Sequence, residues 1–304
     1  MKFLALFVSL PTRQSSGRMR IWRALRALGC ATLRDGVYLL PESEEHAAAL
    51  TKIAGDVRAV QGTADLYRLG GRDEGQQAEI IALFDRGPDY ARLLGAIRTA
   101  LAAASPKTAH ALRREFKAIV ATDYFPGEAQ KQAAAALAEL AAVAGGEPSA
   151  ISGGVRRLAS ADFSGRTWAT RKKLWVDRMA SAWLIRRFID KKAKFLWLDM
   201  PGKCPKAVLG FDFDGAAFTH VGSRVTFEVL VASFGLDNNP ALTRIGALVH
   251  FLDVGGVPVI EAAGIEAVLA GARSAAPNDD KLLIEACRIL DNLYRNYQQE
   301  RLHE

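Results

Sequence analysis

Hydrophobic positions change their spacing along this chain, and each change predicts a different kind of element. Phe3–Leu10 is a continuous apolar run, the pattern of a buried strand. Ile21, Trp22, Leu25 and Leu28 then recur at three- and four-residue steps, which predicts a helix capped by Ser15 or Ser16 and running through Leu28. Ala31–Leu33 and Val37–Leu40 flank Asp35–Gly36, a two-residue hairpin turn signal. A second helix from Ser43 buries Leu50, Ile53, Val57 and Val60, and Ala64–Leu69 supplies a last strand. The order β-α-β-β-α-β over residues 1–75 predicts a ferredoxin-like domain.

Gly70–Gly71 and the charged RDEGQQ then interrupt the pattern. Across residues 76–150, the segments 78–84, 90–104, 108–121 and 129–144 carry helical spacing, expected to form a hairpin or short bundle that links or dimerises the chain. GGEPSAISGG, residues 145–154, is the clearest linker. Residues 165–304 predict a mixed α/β domain. Asp177 is placed to cap a helix whose Ala180, Trp183, Leu184 and Phe188 share a face, and strands are expected at 195–198, 208–213 and 217–220. Helical spacing returns at Phe227, Leu230, Val231 and Phe234, and again at Leu242, Ile245, Val249 and Leu252. Asn278 is expected to cap a final helix burying Leu282, Ala286, Ile289 and Leu293. The fold class expected is therefore α/β of the α+β kind: a ferredoxin-like domain, a helical middle and a mixed C-terminal domain.

Composition narrows the function more than the fold. The chain has 304 residues, half of them hydrophobic, enough for a packed core in more than one domain. Its formal charge of +7 favours anionic partners: nucleic acid, an oxyanion or an acidic membrane face. Cys30, Cys204 and Cys287 are odd in number, far apart and without a CxxC pair, which suits a reducing cytoplasm and argues against a cysteine zinc site. MKFLALFVSLP has a single lysine and no small-residue cleavage site, so it is taken as a strand rather than a secretion signal. No apolar run reaches membrane-spanning length. A cytoplasmic protein with no membrane partner is expected.

Three groups of side chains could carry chemistry. His220, Glu228, His250 and Asp253, with Asp177 as a further oxygen donor, form a mixed nitrogen and oxygen set suited to a divalent metal such as Zn, Mn or Fe. Asp212 and Asp214 in FDFDG are further oxygen donors, expected on one side of a strand. The alternative is structural: a strand-end and a helix-surface histidine, with Glu228 favouring a helix N-terminus. Arg178, Arg186 and Arg187 could hold an oxyanion through planar, bidentate guanidinium groups, with Arg178 best placed at a helix start. Equally, Arg186 and Arg187 could be solvated or pair with Asp177 and Asp190. Finally, Arg18, Arg20, Arg23 and Arg26 stripe the first helix around Trp22, as phosphate contacts to DNA would require, or as an ordinary charged outer face. No nucleotide cofactor is expected, since neither a GxGxxG after a strand nor a GxxxxGK[ST] occurs, and no GxSxG nucleophile turn is present.

Longer blocks carry a resemblance. DRMASAWLIRRFID, FLWL, FDFDGAAFTH, SRVTFEVLVASFGLD with NPAL, and IGALVHFLD resemble the ChrB-type chromate resistance proteins. LFVSLPTRQSSGRMRIWRALRALGCATLRDGVYLLP is similar to the amino-terminal part of the same family, so the likeness spans essentially the whole chain. It implies a chromate-responsive regulator of a chromate efflux operon, with operator DNA and chromate as partners. The carboxyl-terminal domain would be the sensor, and the remainder would form a homodimer and contact DNA. The competing expectation is a metal-dependent enzyme that detoxifies chromate or the oxidants chromate generates, with His220, Glu228, His250 and Asp253 on the metal and Arg178 on the substrate.

Overall fold

The structure is a computed structural model that describes residues 1–11, 15–144 and 155–299. The 145–154 linker expected from the sequence lies outside the described residues, as do the side chains of Ser15 and Ser16 proposed as a cap. Contacts divide the chain into two units, one of residues 1–93 with 110–130 and one of residues 94–109 with 131–304.

In the first unit, β1 (Phe3–Ser9), α1 (Ser15–Ala27), β2 (Ala31–Arg34), β3 (Val37–Pro41), α2 (Glu44–Ala59) and β4 (Thr63–Leu69) follow the expected order. The strands pair antiparallel as β2-β3-β1-β4, the ferredoxin-like arrangement. Ser43 caps α2 by accepting from His46 N at 3.0 Å. The first half of β1, Phe3–Leu6, is buried on both faces: Leu4 and Leu6 share a core with Ile21, Leu25, Leu50, Ile53 and Val57, while Phe3 stacks on Phe84 at 5.7 Å; Phe7 beyond it is exposed. That double burial is why Phe3–Leu6 shows no alternation in sequence. The middle helices are α3 (Glu74–Ala82), α4 (Gly87–Leu101), α5 (Pro106–Val120) and α6 (Glu128–Ala144).

The second unit is built on a short parallel sheet that the spacing understated. β5 (Thr167–Arg171) lies between β6 (Lys194–Leu198) and β7 (Leu209–Gly210), in the order β6-β5-β7. Between β5 and β6 runs α7 (Val176–Leu184), extended by one π-helical turn over Ile185–Ile189. Then come α8 (Thr226–Ser233), α9 (Pro240–Val254), α10 (Ala262–Ala275) and α11 (Asp279–Gln299). Met179, Ala180, Ala182, Trp183 and Leu184 are all buried, because α7 has neighbours on every side; Trp183 stacks on Phe227 and meets Tyr294 edge-on.

Several sequence expectations are corrected here. Residues 217–220 form no strand; Phe218 makes only an isolated bridge to Phe211. The strand expected over 208–213 is two residues long, because the chain turns at Asp212, whose φ of 55° is left-handed. Asp212 is buried and Asp214 exposed, so they do not share a strand face. The N-cap of α7 is Trp175, which makes no side-chain cap bond, and Asp177 is used elsewhere. Asn278 does accept from Lys281 N at 3.0 Å at the start of α11. That helix buries Leu283, Leu290, Tyr294 and Tyr297 beside Leu282 and Ala286, leaving Ile289 and Leu293 half-buried.

Candidate functional site

The parallel strands β5 and β7 end side by side, and the loops leaving their carboxyl ends supply the site, as in open α/β sheets generally. From β5 come Arg171 and a tight turn through Lys173, whose φ of 60° is left-handed. This turn is tied down from α11, where Asp279 accepts from Lys173 N at 3.0 Å and Leu174 N at 3.1 Å. It delivers Asp177 and Arg178 on the first turn of α7. From β7 comes Asp212, in a conformation that aspartate tolerates better than most side chains. The following loop brings His220, α8 brings Thr226, and the last turn of α9 brings Asp253.

Asp177 is only 1% exposed, and its charge is held by hydrogen bonds. Its carboxylate accepts from Thr226 N at 2.9 Å, Phe227 N at 2.8 Å and Ser181 Oγ at 3.1 Å. It therefore caps α8 rather than its own helix, serving amides left without intrahelical partners. Asp212 Oδ1 accepts from Thr226 Oγ1 at 3.1 Å. On its other oxygen, Oδ2, Arg178 Nε lies at 3.3 Å and Arg171 at 3.6 Å. His220 Nε2 faces three carboxylates, at 3.3 Å from Asp177, 3.5 Å from Asp212 and 3.6 Å from Asp253.

Crowding carboxylates in a half-dry pocket shifts their titration. Burial, reinforced by the Asp177 charge, pushes Asp212 up to about 6, with the Thr226 hydroxyl and Arg178 opposing. Asp253 is raised for the same two leading reasons. The hydrogen bond to Asp177 raises His220, assisted by the charges of all three acids and opposed by burial. Burial lowers Arg178.

This donor set fits a divalent cation. Asp177, Asp212 and His220 each offer a ligand atom, all within 4.8 Å of one another. Bonds of about 2.0–2.2 Å to a metal put donors at most about 4.4 Å apart, so a contraction of a few tenths of an ångström closes the site. Asp253 stands beside them as a fourth donor, its side chain 25% exposed.

The expected residues separate into four groups. Asp177, His220 and Asp253 converge, joined by Asp212, which FDFDG flagged only as a spare donor. Glu228 and His250 instead bond each other, Nδ1 to Oε2 at 2.8 Å, while the same oxygen accepts from Val225 N at 3.1 Å. Arg178 adjoins the cluster, and Arg186 and Arg187 do not: Arg186 lies over Phe195, and Arg187 pairs with Asp291 and lies over Tyr294. The π-helical turn carries these two arginines onto the α11 side of α7. Thr226 and Ser181 had no signal in the sequence, since an isolated hydroxyl in an apolar helix reveals no partner. Arg18, Arg20, Arg23 and Arg26 are all exposed along α1, with Ile21 and Leu25 buried on its opposite side. Arg26 lies over Trp22, and Arg20 and Arg23 carry no ion pair among the described residues.

Residues 168–297 match the family described as ChrB, C-terminal domain, and residues 18–98 match Protein ChrB, N-terminal. Protein ChrB of Cupriavidus metallidurans is 47% identical over 311 residues, covering 98% of this chain and 96% of that relative. The chain belongs to the ChrB family. No solved structure matches it. The ChrB C-terminal match contains every residue of the carboxylate and histidine cluster and both adjoining arginines, while the ChrB N-terminal match opens at Arg18 and contains the α1 stripe. No helix among the described residues is long and apolar enough to cross a membrane.

Proposed function

We propose that this ChrB-family protein is a chromate-responsive transcriptional regulator of a chromate resistance operon. Its C-terminal site reads the oxyanion with the help of a bound divalent cation, and a homodimer contacts operator DNA through α1. The observation that carries the reading is the convergence of Asp177, Asp212, His220 and Asp253 with arginines against one edge. Carboxylates alone repel a dianion; a cation among them and guanidinium groups beside them reverse the sign of the field. One imidazole against several carboxylates favours Mn or Fe over Zn. The exposed α1 arginines support a phosphate-contacting role.

A mobility shift of DNA from upstream of the operon tests the reading. Binding at low salt that weakens with rising salt, and is released by micromolar chromate in the presence of Mn2+, is the expected result. No binding at 50 mM salt overturns it.

A second reading, a metal-dependent enzyme acting on chromate, draws on the accessibility of the site. The His220 side chain is 40% exposed beside Asp212, which leaves a titratable pair open to a ligand. Catalytic loss of chromate absorbance with a thiol as reductant, abolished by His220→Ala, would favour the enzyme over the sensor.

A further inference from the structure

Asp212 serves two sets of partners with its two oxygens. Oδ1 lies on the cation side, accepting from Thr226 Oγ1 and facing His220 Nε2. Oδ2 lies on the arginine side, at 3.3 Å from Arg178 Nε and 3.6 Å from Arg171. Arg178 is also held in place by backbone: its Nη1 donates to Lys172 O at 2.9 Å and Arg171 O at 3.4 Å. Its Nη2 has no partner among the described residues. Arg171 has no partner there besides Asp212. A third guanidinium, Arg273 of α10, lies over the Trp175 ring at the start of α7. Arg178 is thus fixed in direction, with Nη2 left over as a donor beside Asp212.

We infer that Arg171 and Arg178 form a subsite for a tetrahedral dianion, and that Asp212 couples this subsite to the cation site, so that cation and anion strengthen each other's binding. The inference rests on the proposed metal-assisted oxyanion site and specifies how its two ligands are linked. Without a cation, Asp212 is the counter-charge of both arginines and competes with any anion for them. A cation drawn in by Asp177, His220 and Asp212 takes up the aspartate's charge and adds its own positive field a few ångströms from the guanidinium groups. Both effects favour an incoming dianion. By linkage, the dianion must favour the cation to the same degree. The geometry of the ligand follows from the donors: guanidinium forks on one side and the cation on the other suit an anion with oxygens on several faces, rather than a planar carboxylate.

Calorimetric titration of the full chain tests this, with sulfate as a redox-inert tetrahedral dianion and Mn2+ as the cation. Saturating Mn2+ is expected to tighten sulfate at least tenfold, and saturating sulfate to tighten Mn2+ by the same factor. In Asp212→Asn, sulfate binding without Mn2+ is expected to rise above wild type, and the effect of Mn2+ on it to fall below twofold. Arg171→Gln, a change to a side chain that is 48% exposed, keeps the fold out of question and is expected to weaken sulfate about tenfold with Mn2+ present. If both ligands bind wild type but each leaves the other's affinity unchanged within twofold, the coupling is wrong while the metal-assisted site stands. Unchanged sulfate affinity in Arg171→Gln likewise removes the arginine subsite. If neither Mn2+ nor sulfate binds, the site reading and the inference fall together.

Discussion

Two aspartates of the C-terminal unit show how the same side chain is pulled in opposite directions by its neighbours. Asp190 is as buried as Asp177, yet Gly165 N, Arg166 N, Lys192 N and the Trp168 indole all donate to it, at 2.8–3.2 Å. Burial pushes its pKa up, and these four donors together overcome that and leave it lowered. A depressed carboxylate contributes stability above its unfolded pKa and loses it as pH falls through the folded value. Asp190→Asn, which sets an amide NH2 against N–H donors, is therefore expected to cost about 2 kcal/mol in urea unfolding at pH 7, and much less near pH 2. A cost that does not change with pH would mean packing rather than charge is at stake. Asp212 has the reverse sign. Its folded pKa of about 6 lies above the ordinary value, so its contribution is complete below about pH 4 and lost as pH rises through 6. The protons on Asp212 and His220 also compete with a cation. Mn2+ affinity is expected to climb steeply from pH 5 and to level only above the raised His220 pKa, measured by calorimetry in matched buffers. Affinity that is flat across pH 5–7 would exclude Asp212 as a ligand.

At the scale of the element, α1 and α7 use helical spacing for different ends. In α1 the apolar stripe of Ile21 and Leu25 is buried in the core shared with β1 and α2, so the arginines fall on the solvent side as a consequence of packing. If that stripe contacts phosphates, each arginine removed takes about one counterion from the salt dependence. Arg20→Gln with Arg23→Gln is expected to lower the slope of log K against log salt by about 2 and to weaken operator and unrelated DNA alike. An unaltered slope would return the stripe to an ordinary solvated face. In α7 burial is nearly complete; Asp177 is there because it accepts from the N-terminus of α8, and Ser181 because it donates to Asp177. The Glu228–His250 pair makes a comparable tie between α8 and α9, one helical turn before Asp253.

For the whole molecule, regulation requires that ligand at the C-terminal site change affinity for DNA. A ligand shifts an equilibrium only by its differential affinity for the two states, so a hundredfold drop in operator binding needs about 2.7 kcal/mol of difference. Asp253→Asn with His220→Ala is expected to leave operator affinity in the absence of chromate within about threefold of wild type while abolishing release by chromate. Mobility shifts with and without chromate distinguish this from a general folding defect, which would lower binding in both conditions. Release that persists in the double variant would place chromate sensing outside the cluster.

The division between sequence and tertiary structure follows the range of the interactions. Local periodicity determined the βαββαβ order, the middle helices and the Asn278 cap, because helix and strand spacing reflect which face each element buries. The long apolar and acidic blocks likewise determined the family likeness. Whether donors converge was decided only by the fold. Asp177 and Thr226 are 49 residues apart yet bonded, whereas Glu228 and His250 turned toward each other and Arg187 toward Asp291. Asp212 became the central carboxylate because the strand before it stops at Gly210 and the chain turns through a left-handed residue. Side-chain chemistry is written in the sequence, but its partners depend on how separate elements pack, and that is a property of the folded chain.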